Sequence, residues 1–106
     1  MRLLHVEDNP LDADLARRAL TGEGALCHID LAPTLAEARA RLDSGTAYDA
    51  VLTDLHLPDG HGLDLILEIR ARDLATAVVA LTSQGDENVV LAALKAGADD
   101  YLAKNE

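Results

Sequence analysis

Apolar and polar positions follow two alternating rhythms along the chain. Short, nearly continuous apolar runs occur at LLHVED (3–8), ALCHIDLA (25–32), YDAVLTD (48–54), ATAVVALTS (75–83) and DDYLAK (99–104). Between them lie stretches with apolar residues at helical spacing, such as Leu11, Leu15, Ala19 and Leu20, or Leu63, Ile66, Leu67 and Ile69. Runs of the first kind suit strands covered on both faces, and the alternation predicts parallel β/α units. Helix signals sit where this reading needs them. Asn9 precedes Pro10, with Asp12 and Asp14 following, a cap, a first-position proline and first-turn acids; Gly22 and Gly24 end that helix. TLAE (34–37) is a capping-box pattern opening a helix to about Leu42, and Asp86 is placed to cap a helix that stops at Gly97. The expectation is an α/β domain with five strands and four helices.

Composition narrows the class. The 106 residues make one domain, 1–106, and 49% apolar content excludes an acidic disordered tail despite a net charge of −10. The acidic balance argues against direct nucleic-acid binding, and no apolar run reaches membrane-spanning length. The N-terminus lacks the long apolar region of a signal peptide, and the one cysteine, Cys27, cannot form an internal disulfide. A cytoplasmic location is expected. Cys27 reads as a small buried apolar residue.

Ligands of open α/β sheets sit beyond the carboxyl ends of the strands, where strand order reverses. Those ends carry Glu7 and Asp8, then Asp54, then Thr82 and Ser83, then Lys104. With strand order 2-1-3-4-5, Glu7, Asp8 and Asp54 converge in one shallow pocket. Three such carboxylates repel unless a cation joins them, and Mg²⁺, a hard ion that keeps several waters, meets the need. A carboxylate beside a metal can act as a nucleophile, and phosphoryl transfer needs cationic and hydrogen-bonding partners for three equatorial oxygens. Mg²⁺, the Lys104 ammonium and the Thr82 hydroxyl supply them.

These residues resemble the receiver domain of bacterial two-component response regulators. VEDN (6–9), LTDLHLPDGHGLDL (52–65), ALTS (80–83) and GADDYLAK (97–104) carry the resemblance, which extends over the whole chain. It implies a flavodoxin-like, three-layer, doubly wound five-stranded parallel sheet. It also implies a phosphoacceptor signalling switch that is not itself an enzyme. Asp54 matches the phosphoacceptor, Asp8 a direct metal ligand, and Glu7 an acid reaching the metal mainly through water. The backbone carbonyl of His56 matches the third protein ligand. Thr82 matches the switch hydroxyl, Lys104 the lysine holding a phosphoryl oxygen, and Tyr101 the aromatic whose rotamer follows phosphorylation. The phosphoryl donor would be a phosphohistidine on a sensor histidine kinase or phosphotransfer protein, or a small acyl phosphate. The His56 side chain and Gln84 stand where either could tune the lifetime of the phosphoaspartate. His5, His28 and His61 lack ligand-spaced partners and read as structural or surface residues.

Two departures from the family stand out. Asn105 follows Lys104 where proline is usual, and the sequence stops at Glu106, before the fifth helix that receivers normally carry. The expectation is therefore a C-terminally truncated receiver with an uncovered sheet face. That face would meet a covalently linked output domain or a second copy as a homodimer. A receiver-shaped interaction module that is never phosphorylated is the alternative; it usually lacks an acid, the threonine or the lysine, and none is lost here. A hydrolase of the haloacid-dehalogenase type would need an aspartate where His56 stands.

Overall fold

A computed structural model of the chain describes residues 1–21, 27–72, 74–82 and 87–104, the side chains of residues 20 and 21 excepted. Strands β1 (Arg2–Val6), β2 (His28–Ala32), β3 (Ala50–Asp54), β6 (Ala77–Thr82) and β7 (Asp100–Ala103) form one parallel sheet in the order β2-β1-β3-β6-β7. In order of appearance those strands read 2-1-3-4-5, as expected. Helices α1 (Pro10–Thr21), α2 (Leu35–Asp43), α3 (Gly62–Ala71) and α4 (Glu87–Ala96) connect them. One addition was not foreseen. The residues after β3 form a small antiparallel hairpin, β4 (His56–Leu57) with β5 (Gly60–His61), before α3 begins.

The side-chain alternation of the strands sorts the core into two layers. Leu4, Val6, Ala32, Val51, Val78 and Ala80 face α2, α3 and α4, meeting Leu35, Ala38, Leu65, Ile66, Ile69 and Ala93. On the opposite face Leu3, Ala50 and Leu52 form a smaller cluster, with Cys27 partly rather than fully buried against it. Among the described residues α1 alone lies over this second face. Leu11 and Leu15 of α1 are not buried as their spacing suggested: Leu15 is 64% exposed, and Leu102 of β7, which lines the same open groove, is 54% exposed.

Several helix ends match the sequence. Asn9 Oδ1 accepts from the Leu11 and Asp12 amides at 2.9 and 3.3 Å, and Thr34 Oγ1 accepts from the Glu37 amide at 3.1 Å. Gly97, at φ +120°, ends α4 with a backbone conformation that side chains disfavour. The readings of Gly22, Gly24, Ser83, Gln84, Asp86, Asn105 and Glu106 lie outside the described residues.

A buried carboxylate fixes β2. Asp30 accepts from the Tyr48 hydroxyl at 2.6 Å, pairs with Arg2 at 3.1 Å and lies 3.1 Å from His28 Nε2. The Tyr48 hydrogen bond, ahead of those from Arg2 and His28, holds the Asp30 carboxyl below the ordinary aspartate range. A depressed carboxyl stabilises the fold above the unfolded value of about 3.9, and that contribution is lost as pH falls through the folded value. Urea titration of Tyr48→Phe should show about 1–2 kcal/mol of lost stability at pH 7, shrinking below about pH 4. A loss of the same size at every pH would show that the charge on Asp30 is not its source.

Candidate functional site

The carboxyl end of β1 leads directly into Glu7 and Asp8, and β3 ends in Asp54. Because β1 and β3 are paired neighbours, with Val6 opposite Thr53, their ends lie side by side. Glu7, Asp8 and Asp54 each offer an oxygen within 4.8 Å of the others. Glu7 and Asp54 are buried and Asp8 is exposed, so the cluster opens to solvent on one side. In an octahedral shell with bonds near 2.1 Å, ligand oxygens stand at most about 4.2 Å apart. Only one pair of the three can stand that far apart, the others meeting at about 3 Å, so the carboxylates would draw closer together around a hard divalent cation.

Lys104 supplies the countercharge. Its Nζ lies 2.8 Å from Glu7 Oε1 and 2.8 Å from Asp54 Oδ2. The ammonium is placed by the backbone, since the Lys104 amide donates to the Thr82 carbonyl at 2.8 Å, where β7 leaves β6. Burial would push the ammonium down, but hydrogen bonds to Asp54 and Glu7 outweigh it and hold Lys104 above the ordinary lysine value. Burial raises the Glu7 carboxyl, against the lowering effect of Lys104. Asp12 adds a further carboxylate, with Oδ2 3.4 Å from the same ammonium. Sequence reasoning placed Asp12 in the first turn of α1 for its helix and missed this contact. His5 is buried beneath the cluster, and burial, followed by the Lys104 ammonium, lowers its pKa, leaving it neutral at pH 7.

The remaining expected residues divide. Thr82 is buried at the end of β6. The exposed His56 begins the hairpin just beyond Asp54. Tyr101 lies on β7 and is 43% exposed. His28 and His61 have structural partners: His28 pairs with Asp30, and His61 Nδ1 accepts from the Leu63 amide at 3.1 Å, capping α3. The rings of His56 and His61 meet edge to face, 5.2 Å between centroids.

The comparisons with known proteins agree with this geometry. Residues 3–106 match the family described as response regulator receiver domain. The chain belongs to that family. This receiver is 39% identical over 104 residues to the transcriptional regulatory protein TcrA of Mycobacterium tuberculosis, covering 98% of the chain but 40% of TcrA. It thus spans about two-fifths of that relative. Among solved structures it resembles response regulator TrrA of Thermotoga maritima in complex with Mg²⁺-BeF, with a TM-score of 0.83 and 33% identity, covering 98% of this chain and 86% of that one. It also resembles the Mn²⁺-bound form of response regulator Rcp1, with a TM-score of 0.87 and 27% identity, covering 99% and 81%. A receiver domain is a phosphoacceptor signalling switch.

The turn behind the receiver's acid pocket depends on one glycine. A Cβ on Gly62 would fall 2.3 Å from the Asp54 carbonyl and 3.0 Å from Leu55 Cα, both backbone atoms that cannot swing aside. The Gly62 amide also donates to the Leu55 carbonyl at 2.8 Å, closing the hairpin. Gly62→Ala should therefore cost about 1–3 kcal/mol in chemical denaturation. It should also shift the backbone NMR resonances of Asp54 and Leu55. Unchanged stability and unchanged Asp54 resonances would contradict this close approach.

Proposed function

We propose that Asp54 is the phosphoacceptor of this receiver and that Glu7, Asp8, Asp54 and the His56 backbone carbonyl hold Mg²⁺ beside it. The observation carrying this reading is the cluster of Glu7, Asp8 and Asp54 at the sheet's reversal point, with the Lys104 ammonium paired to Glu7 and Asp54. The donor set is all oxygen, as a hard divalent cation requires. Bound there, Mg²⁺ would supply positive charge to phosphoryl oxygens as they gain negative charge.

The residues divide the remaining work. An Asp54 carboxylate oxygen attacks phosphorus in line, forming an O–P bond as the donor's P–N or P–O bond breaks. The phosphohistidine ring takes a proton from solvent as the P–N bond breaks and leaves as neutral imidazole; an acyl phosphate leaves as carboxylate. Lys104, released in part from Asp54, turns its ammonium to a phosphoryl oxygen. The Thr82 hydroxyl donates to another, drawing the end of β6 toward Asp54. Tyr101, exposed on β7, then changes rotamer, and that surface reports the modification. The exposed His56 side chain, two residues past Asp54, sets how readily water hydrolyses the modified carboxylate, and Gln84, two residues past Thr82 in the sequence, shares that role.

The partners follow from this chemistry. A sensor histidine kinase or phosphotransfer protein supplies the phosphoryl group in a cytoplasmic setting. Exposed Leu15 and Leu102 supply apolar surface for a linked output region or a second copy.

Acetyl phosphate with Mg²⁺ should add the mass of one phosphoryl group to the protein. Asp54→Asn should add none, and a chelator should abolish the gain in the wild type. A gain that persists in Asp54→Asn would assign the acceptor elsewhere. No gain in the wild type would favour the interaction module that is never phosphorylated.

A further inference from the structure

The hairpin that carries the His56 carbonyl is held at its tip as well as at its base. Its ladder pairs His56 with His61 and Leu57 with Gly60, so Pro58 and Asp59 form the turn. From that turn Asp59 Oδ1 accepts from the Leu35 amide at 2.8 Å, and Oδ2 accepts from the Ala36 amide at 3.0 Å. Both amides belong to the first turn of α2, where backbone donors have no partner inside the helix. Thr34, the helix's own cap, satisfies only the Glu37 amide. The tip also packs on the same residue: a Cβ on Gly60 would lie 2.7 Å from Leu35 Cδ1, and Leu35 is buried.

We propose that Asp59 is a positioning residue, tying the tip of the hairpin to the start of α2 so that the His56 carbonyl stays aimed at the metal site. The proposal rests on the reading of His56 as a metal ligand. A two-residue ladder gives little rigidity of its own, and a hairpin of this size is marginal in water. The base is fixed by Gly62 and Leu55, and the tip by the two Asp59 hydrogen bonds. Hydrogen bonds from the Leu35 and then the Ala36 amide hold the Asp59 carboxyl below its ordinary range, so it stays ionised at neutral pH. The helix end, carrying partial positive charge, favours that anion. Coupling is reciprocal: if the tether helps Mg²⁺ bind, bound Mg²⁺ must strengthen the tether by the same factor.

Calorimetric titration of the full chain with Mg²⁺ tests this without any phosphoryl transfer. Asp59→Ala should weaken Mg²⁺ binding by about 10-fold, the scale typical of groups that orient ligands. Asp59→Asn, which keeps one acceptor oxygen, should fall between Asp59→Ala and the wild type. Thr34→Ala removes the other cap of α2 without touching the hairpin and should leave the affinity within about twofold. In the wild type, Mg²⁺ should slow amide hydrogen exchange at Leu35 and Ala36, an effect absent from Asp59→Ala. Wild-type affinity in Asp59→Ala would overturn the proposal alone. So would equal weakening in Thr34→Ala, which would mean that helix stability is all that matters. A wild-type chain that fails to bind Mg²⁺ would overturn the metal site and the proposal together.

Discussion

Lys104 places one positive charge 2.8 Å from each of two buried carboxylates contributed by different strands. Without it, Glu7 and Asp54 would be desolvated like charges with no compensation. The ion pairs therefore offset the burial of both acids. They also explain the arrangement around them. The β1–β3 pairing must set the two acids side by side, and β7 must hand Lys104 back across β6. Any cation or phosphoryl group entering the pocket then competes with Lys104 for the same oxygens. On the proposed reading, the resting and modified arrangements differ in part by where that ammonium points. That is the form a two-state switch requires, since a ligand can bias states only through contacts that differ between them.

The loop after Asp54 is built to be stiff. Gly62 lets the chain pass against the Asp54 carbonyl, His61 caps α3, and Asp59 reaches the first turn of α2. Each device fixes a segment that would otherwise be a short, mobile connection. A metal ligand supplied by a backbone carbonyl cannot choose a rotamer, so its aim is set by the fold of the loop that bears it. On the proposed reading of His56 as a metal ligand, the stiffness of residues 55–62 is part of the site's chemistry.

Much of this was legible in the sequence because the signals are local. Apolar runs ending in Glu7, Asp8, Asp54, Thr82 and Lys104 marked both the strands and the residues at their carboxyl ends, whereas the strand order 2-1-3-4-5 rests on what is common to such units and not on any local signal. Asn9, Thr34 and Gly97 marked helix ends through chemistry confined to one turn. What escaped depends on partners far apart in the chain. Asp59 bonds to amides 23 and 24 residues away, Asp12 meets Lys104 across 92 residues, and Asp30 gathers Tyr48 and Arg2 from separate loops and strands. No periodicity records such contacts. The hairpin at 56–61 was missed because two-residue strands lack enough positions to alternate. Helical spacing also promised burial for Leu11 and Leu15, but a pattern reports a face and not what covers it. Both are exposed, and among the described residues the second face of the sheet carries α1 alone.

The central claim is that the carboxylates of β1 and β3 meet around one cation at the place Lys104 guards. Substoichiometric Mn²⁺, a paramagnetic stand-in for Mg²⁺, tests it through the broadening of assigned amide resonances. The account predicts selective broadening at Glu7, Asp8, Asp54, Leu55, His56 and Lys104, with sharp signals retained at Asp30 and Tyr48, which belong to a separate network. Broadening spread over the surface acids, or concentrated away from Glu7 and Asp54, would contradict it.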